Sequence, residues 1–188
     1  MSSNLVRWGV LGALLASIAW IASVIVDSVM VRQGPVLAMY TLAWAGTLGG
    51  LVGLHGRQAP RYGWLGTTGF FAAFTGAALA LAGSVLTFLS RSSILEQGFV
   101  DQALGLGLFS TLLGLVLSSA GFVILGVATL RARVMPRWCG VVLILGLPVL
   151  WALGGYGGGI VLGIVWLALG YALWSGRSEA VEQNTRAS

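Results

Sequence analysis

The sequence predicts an all-α fold: a polytopic membrane bundle of six transmembrane helices with both termini in the cytoplasm. Three observations carry that prediction. The chain is 57% apolar and only 8% charged, with a mean hydropathy of +0.94 over 188 residues, far from the balance of a soluble domain. Apolar runs of about 20 residues, the length that crosses a bilayer as a helix, recur along it. Inside those runs small residues fall at steps of three and four, which stack on one helical face.

That third observation is sharpest between Gly66 and Leu130. Gly69, Ala73, Gly76, Ala80 and Gly83 form one stripe, and Gly107, Ser110, Gly114, Ser118 and Gly121 form a second. A stripe almost without side chains lets another backbone come close. In lipid, where tails are as apolar as leucine, association rests on such packing and on hydrogen bonds. The expectation is a tight helical hairpin at the heart of a single domain spanning 1–188.

The first span is read over 8–29. Arg7 before an apolar run, with Ser17-Ile18-Ala19 inside it, also resembles a signal peptide and cleavage site, but the run continues well past that point. Gly9, Gly12, Ala16, Ala19 and Ser23 share a face, which Asp27 extends by one turn. The second span, 35–54, opens on Pro35, a residue suited to a helix's first turn because its missing N–H would be unpaired there. Ala38, Thr41, Ala45, Gly49 and Gly53 give it a small-residue face.

The third span is read over 63–89 and the fourth over 103–130. At ~1.5 Å per residue both exceed the ~30 Å hydrocarbon core, so they tilt or project beyond it. Between them Ser93 and Glu96 have capping-box spacing, which predicts a short interfacial turn, with Gly98 as its hinge. The fifth span, 138–153, is short and carries Pro148, which predicts a kink. A glycine-rich turn leads to the sixth, 157–174, and the polar tail 175–188 is expected to be disordered and cytoplasmic.

Orientation follows from charge. With the N-terminus inside, Arg7, Arg57, Arg61, Arg131, Arg133, Arg137, Arg177 and Arg186 are cytoplasmic, while only Arg32 and Arg91 lie outside. Trp8, Trp64, Trp138 and Trp174 fall at the same inner ends, where indole sits well at headgroup level. The net charge of +5 therefore reads as topology rather than nucleic-acid binding.

Candidate sites are few. Asp27, the one acid at the edge of a span, reads either as an ion-handling carboxylate facing the bundle or as a hydrated group near the outer interface. With Arg32, Arg91, Glu96 and Asp101 it would form an outer polar binding cluster. Arg57, Arg61, Arg131, Arg133 and Arg137 would contact anionic lipid headgroups at the inner face, although topology alone also accounts for them. His55 is the only histidine and Cys139 the only cysteine, so the chain predicts no metal site, no disulfide and no cofactor.

Gly155-Tyr156-Gly157 is only superficially like a potassium-channel filter and is better explained as a turn. Segments two and five both open on proline and segments three and six near Tyr-Gly, the trace an inverted repeat would leave. Segment two, however, has no counterpart to Pro148. No catalytic motif of the GxSxG, HExxH or Walker type is present.

The run Leu130-Arg-Ala-Arg-Val-Met-Pro-Arg-Trp-Cys-Gly140, an apolar span, and a last helix ending Trp166-Leu-Ala-Leu-Gly-Tyr-Ala-Leu-Trp174 resemble the C-terminal third of six-helix bacterial membrane proteins known as domains of unknown function. The resemblance implies six spans and the inner membrane of a bacterium; it carries no activity and no site residues. The expected function is a non-enzymatic accessory, scaffold or lipid-contacting component, a homo-oligomer or part of a larger membrane complex. The alternative is a small transporter for an apolar or weakly polar solute.

Overall fold

The computed structural model describes residues 3–29, 33–59, 61–91, 97–133, 135–154 and 157–187. They form six helices: α1 (Ser3–Val29), α2 (Gln33–Gln58), α3 (Gly63–Arg91), α4 (Gln97–Ala132), α5 (Arg137–Leu153) and α6 (Gly158–Ala187). Five are long and apolar enough to cross a membrane, and α5, at 17 residues, is the shorter apolar helix. Each helix packs on its neighbours in sequence, α6 returns to α1, and α6 also touches α2, so the bundle is a closed ring.

In α1 and α3 small side chains turn inward along the seams and large apolar ones turn out. Ala13, Ala16, Ala73, Ala77 and Ala80 are wholly buried, whereas Ile18, Leu106 and Phe109 are about two-thirds exposed. An exposed apolar belt of this extent is compatible with lipid around the bundle.

The α3/α4 seam joins the two predicted stripes. A methyl placed on Gly76 would lie 2.7 Å from the Gly114 carbonyl oxygen, and one on Gly121 would lie 2.6 Å from the Cα of Ala73. Leu125 takes the last position, opposite Gly69. Ser110 stands on the flank and donates across the seam to the Leu79 carbonyl at 2.8 Å. The α1/α2 seam repeats the device with Gly9 against Gly53, Gly12 against Gly49, and Ala16 against Gly46. Its α2 face is therefore Gly46, Gly49 and Gly53: the predicted Gly49 and Gly53 take part, and Gly46 stands in place of Ala45, which is exposed. Gly126 meets Gly140 between α4 and α5, and Gly159 and Gly163 meet the Trp20 and Ser17 carbonyls of α1. In each of these seams low numbers face high ones, so the helices run antiparallel there, while α2 and α6, which meet at Gly50 with Trp166 and Gly53 with Leu173, run parallel.

Several ends differ from the sequence reading. The α3/α4 turn with Ser93 and Glu96 lies outside the described residues, and Gly98 falls in the first turn of α4. α5, Arg137–Leu153, keeps the predicted span and carries Pro148 inside it, on the exposed side. α6 does not stop at Trp174 but runs to Ala187, where Glu179, Ala180, Glu182 and Gln183 supply good helix formers. Arg133, at φ +52°, ends α4 in the left-handed region at a cost of about 1–2 kcal/mol, its N–H bonding the Thr129 carbonyl.

Candidate functional sites at the two ends of the bundle

The alternation of helices puts the α2/α3 and α4/α5 connections at one end, with most of the arginines, and the other three connections at the opposite end. Trp8, Trp64, Trp138 and Trp174 all stand exposed at the arginine-rich end.

The predicted outer cluster belongs to the opposite end. Asp27, Arg91 and Asp101 are exposed there, near helix termini, and Arg32 and Glu96 lie outside the described residues. What the helices build nearby is a cavity of about 320 Å³ between α2, α3, α4 and α5, with Trp20 of α1 in its wall. Trp20, Tyr40 and Trp44 form one side, with ring centroids 5.4–5.7 Å apart in edge-on pairs. Ser84, Thr87 and Thr111 supply hydroxyls across from them, and Leu150 and Trp151 of α5 close the flank. Each hydroxyl donates to a carbonyl of its own helix: Ser84 to Leu81, Thr87 to Gly83 and Thr111 to Gly107, at 2.8–2.9 Å. Bonds of this kind are the ordinary fate of hydroxyls in apolar helices.

Deeper in, Trp20 and Trp44 also border a void of about 10 Å³, the size of one water, shared with Thr47 and Trp166. The Trp20 indole N–H and the Thr47 hydroxyl are buried without a protein partner. Beyond this point Leu51, Leu54, Leu125, Leu169 and Leu173, all 0–1% exposed, fill the bundle. The cavity thus ends on a leucine floor.

The arginine-rich end is closed by a polar cluster. Gln58, 1% exposed, accepts from Thr129 of α4 at 2.8 Å and places its amide nitrogen 2.8 Å from the sulfur of Met135. The Tyr62 hydroxyl bonds Nδ1 of His55, whose ring stacks on Phe70 at 4.1 Å. Burial pushes the Tyr62 phenol up to about 12, so it keeps its proton. Cys139 is buried at the same level.

The five arginines read as lipid contacts divide. Arg57, half-buried, turns inward and donates from Nη1 to the Leu173 and Ala172 carbonyls of α6, at 3.0 and 3.2 Å. Arg61 and Arg131, both exposed, line a groove of about 200 Å³ with Trp64, Leu65 and Ala128, between the start of α3 and the end of α4. Arg133 and Arg137 are exposed on either side of the α4/α5 turn. Arg7 lies beside Trp174 in a shallow apolar groove between α1 and α6.

Reading the sequence missed the cavity. Trp20, Trp44 and Trp166 sit well inside their helices and are 2–4% exposed, so they are not interfacial anchors. Mid-span tryptophan was the signal, because an indole that far from headgroups needs an internal neighbour. No family model matches the chain, and no curated protein or solved structure gives a significant match.

Proposed function

We propose that the protein is a non-catalytic, lipid-contacting component of a bacterial inner membrane, spanning it six times with both termini in the cytoplasm. The arginine-rich end is then the cytoplasmic one, and the excess of arginine there supports that orientation. α5, at about 26 Å, spans with a slightly thinned or tilted fit. The bacterial source rests on the C-terminal resemblance. His55 is tied to Tyr62, and Asp27 and Asp101 are exposed, which leaves no acid–base pair in a cleft among the described residues.

The observation that carries the lipid reading is the groove of Arg61, Trp64 and Arg131. Two guanidiniums on a surface that continues into Leu65 and exposed indole suit a phospholipid with an anionic headgroup, the chains lying along α3 and α4. Arg61→Gln with Arg131→Gln is expected to cost ~2 kcal/mol, about 30-fold in retention of phosphatidylglycerol over phosphatidylcholine. Native mass spectrometry of the detergent-purified protein measures this. Equal retention of the two lipids by the unaltered protein, or by the unaltered and doubly substituted forms, refutes the reading.

Permeation of an apolar solute is the second reading, and the cavity favours it. Passage requires the leucine floor to part, so solute flux in proteoliposomes is expected only if that layer moves. Leakage no faster than from empty vesicles removes this reading for the solutes tried.

A further inference from the structure

We propose that the groove between α1 and α6 at the arginine-rich end holds a bilayer phospholipid with an anionic headgroup, its phosphate on Arg7 and one chain along Val10, Leu11 and Leu14. The site lies across the ring from the groove of Arg61 and Arg131. It rests on the reading that this end of the bundle meets lipid headgroups, and not on that other groove.

The groove follows from how the α1/α6 seam changes along its length. Gly159 and Gly163 of α6 lie against the Trp20 and Ser17 carbonyls, and a methyl on Gly170 would stand 3.2 Å from the Cβ of Ala13. One turn further, the same face of α6 carries Trp174 in place of a glycine. An indole does not fit a seam of that width, and Trp174 stands 63% exposed. The space left beside it, about 310 Å³, is lined by Arg7, Val10, Leu11, Leu14 and Trp174.

The order of residues along α1 sets the occupant. Arg7, Leu11 and Leu14 are four and three apart, so they share a face. From Arg7 to Leu14 the helix rises ~10 Å, charged at the end of the bundle and apolar from there inward. A phospholipid has the same order, head and then chain. Trp174 stands beside Arg7, at the level where indole is favoured in a bilayer. Among the described residues no carboxylate lines the groove, so the complement of the exposed guanidinium is an anion, and a phosphate suits its fork of donors. A choline headgroup would bring its own cation beside Arg7, and free phosphate would leave the three apolar residues unused. A second copy of the chain needs about 20 residues a side for a stable interface, and five line this groove.

The full chain in phosphatidylcholine nanodiscs is given a trace of phosphatidylglycerol or phosphatidylcholine carrying a mid-chain diazirine, and photolabelled peptides are read by mass spectrometry. The phosphatidylglycerol probe is expected to label 10–14 about fivefold more than the phosphatidylcholine probe, the worth of one arginine near an anionic headgroup. Arg7→Gln is expected to bring the two probes level, and Arg7→Lys to keep most of the difference. Arg61→Gln with Arg131→Gln is expected to leave labelling of 10–14 unchanged, so the failure of either groove shows by itself. Leu11→Trp, which crowds the groove, is expected to lower labelling by both probes.

Equal labelling of 10–14 by the two probes in the unaltered protein overturns the proposal, as does a fivefold ratio that survives Arg7→Gln. A cross-link joining two copies through 10–14 overturns it in favour of a second copy as occupant. No labelling by either probe overturns the membrane reading along with it. Should Arg7→Gln fail to fold, the ratio in the unaltered protein and its decline at high ionic strength decide.

Discussion

Gly76→Leu is expected to leave little folded protein, whereas Gly105→Leu leaves the bundle intact. Both glycines lie in apolar helices and both gain the same side chain, so composition and hydropathy change equally. The difference is what the new atoms meet. A Cβ on Gly76 would stand 2.6 Å from Ser118 Oγ and 2.7 Å from the Gly114 carbonyl oxygen, and backbone cannot rotate out of the way. At Gly105 nothing lies within 4 Å, and replacing a helical glycine gains ~0.5–1 kcal/mol. Ordinary over-packing costs ~1–3 kcal/mol, and here the two helices must part along their shared length, so the loss is expected above ~3 kcal/mol. Against a total of about 5–15 kcal/mol this is decisive. Thermal unfolding of the purified variants in one detergent measures it, and midpoints within a degree or two of each other would show that the seam does not hold the hairpin.

The α3/α4 hairpin was legible because bare backbone leaves a mark at every step of three or four. Gly69, Ala73, Gly76, Ala80 and Gly83 form a run that no neighbouring register of α3 equals, and all five are buried. The same rule slipped in α2, where Ala38, Thr41 and Ala45 compete with Gly46 for the line through Gly49 and Gly53. The two lines share Gly49 and Gly53 and part only at Ala45 and Gly46, about 100° apart on the helix. The partner settles it: α1 brings Gly12 and Ala16 so close that only the glycine-rich line fits. Thr41 instead turns to α3, 3.4 Å from Ser84.

Sites were less legible than seams, for a physical reason. The cavity takes wall residues from five helices, and none of those residues is near another in sequence except within one helix. Hydrophobic pattern reports which face is buried, and it is silent on whether buried faces leave a gap. Arg57 illustrates the same limit at the other end. Its position among the arginines of that end predicts contact with headgroups, yet its guanidinium reaches two carbonyls of α6, a partner 115 residues away in sequence. Nothing in the residues around it marks that choice. Arg61 and Arg131 share its composition and stay at the surface, where α3 and α4 leave a groove for them.

Thr129→Val is expected to destabilise the protein by ~1–3 kcal/mol, more than Gln58→Leu, and the pair together to cost less than the sum. The Thr129 proton is shared between the Leu125 carbonyl and Gln58 Oε1, each at 2.8 Å. Removing Gln58 leaves that proton its bond to Leu125, so nothing buried is orphaned on α4. Removing the hydroxyl strands the Gln58 oxygen, in a residue 1% exposed, with only Met135 sulfur against its amide nitrogen. A buried amide without its partner bears the desolvation cost that the bond had offset. Replacing both by apolar groups of similar shape removes the polar junction and its penalty. Unfolding in mixed micelles of the two single variants and the double variant closes the cycle. Additive losses would mean that Gln58 and Thr129 do not act as one joint, and the tie between α2 and α4 would then rest on packing alone.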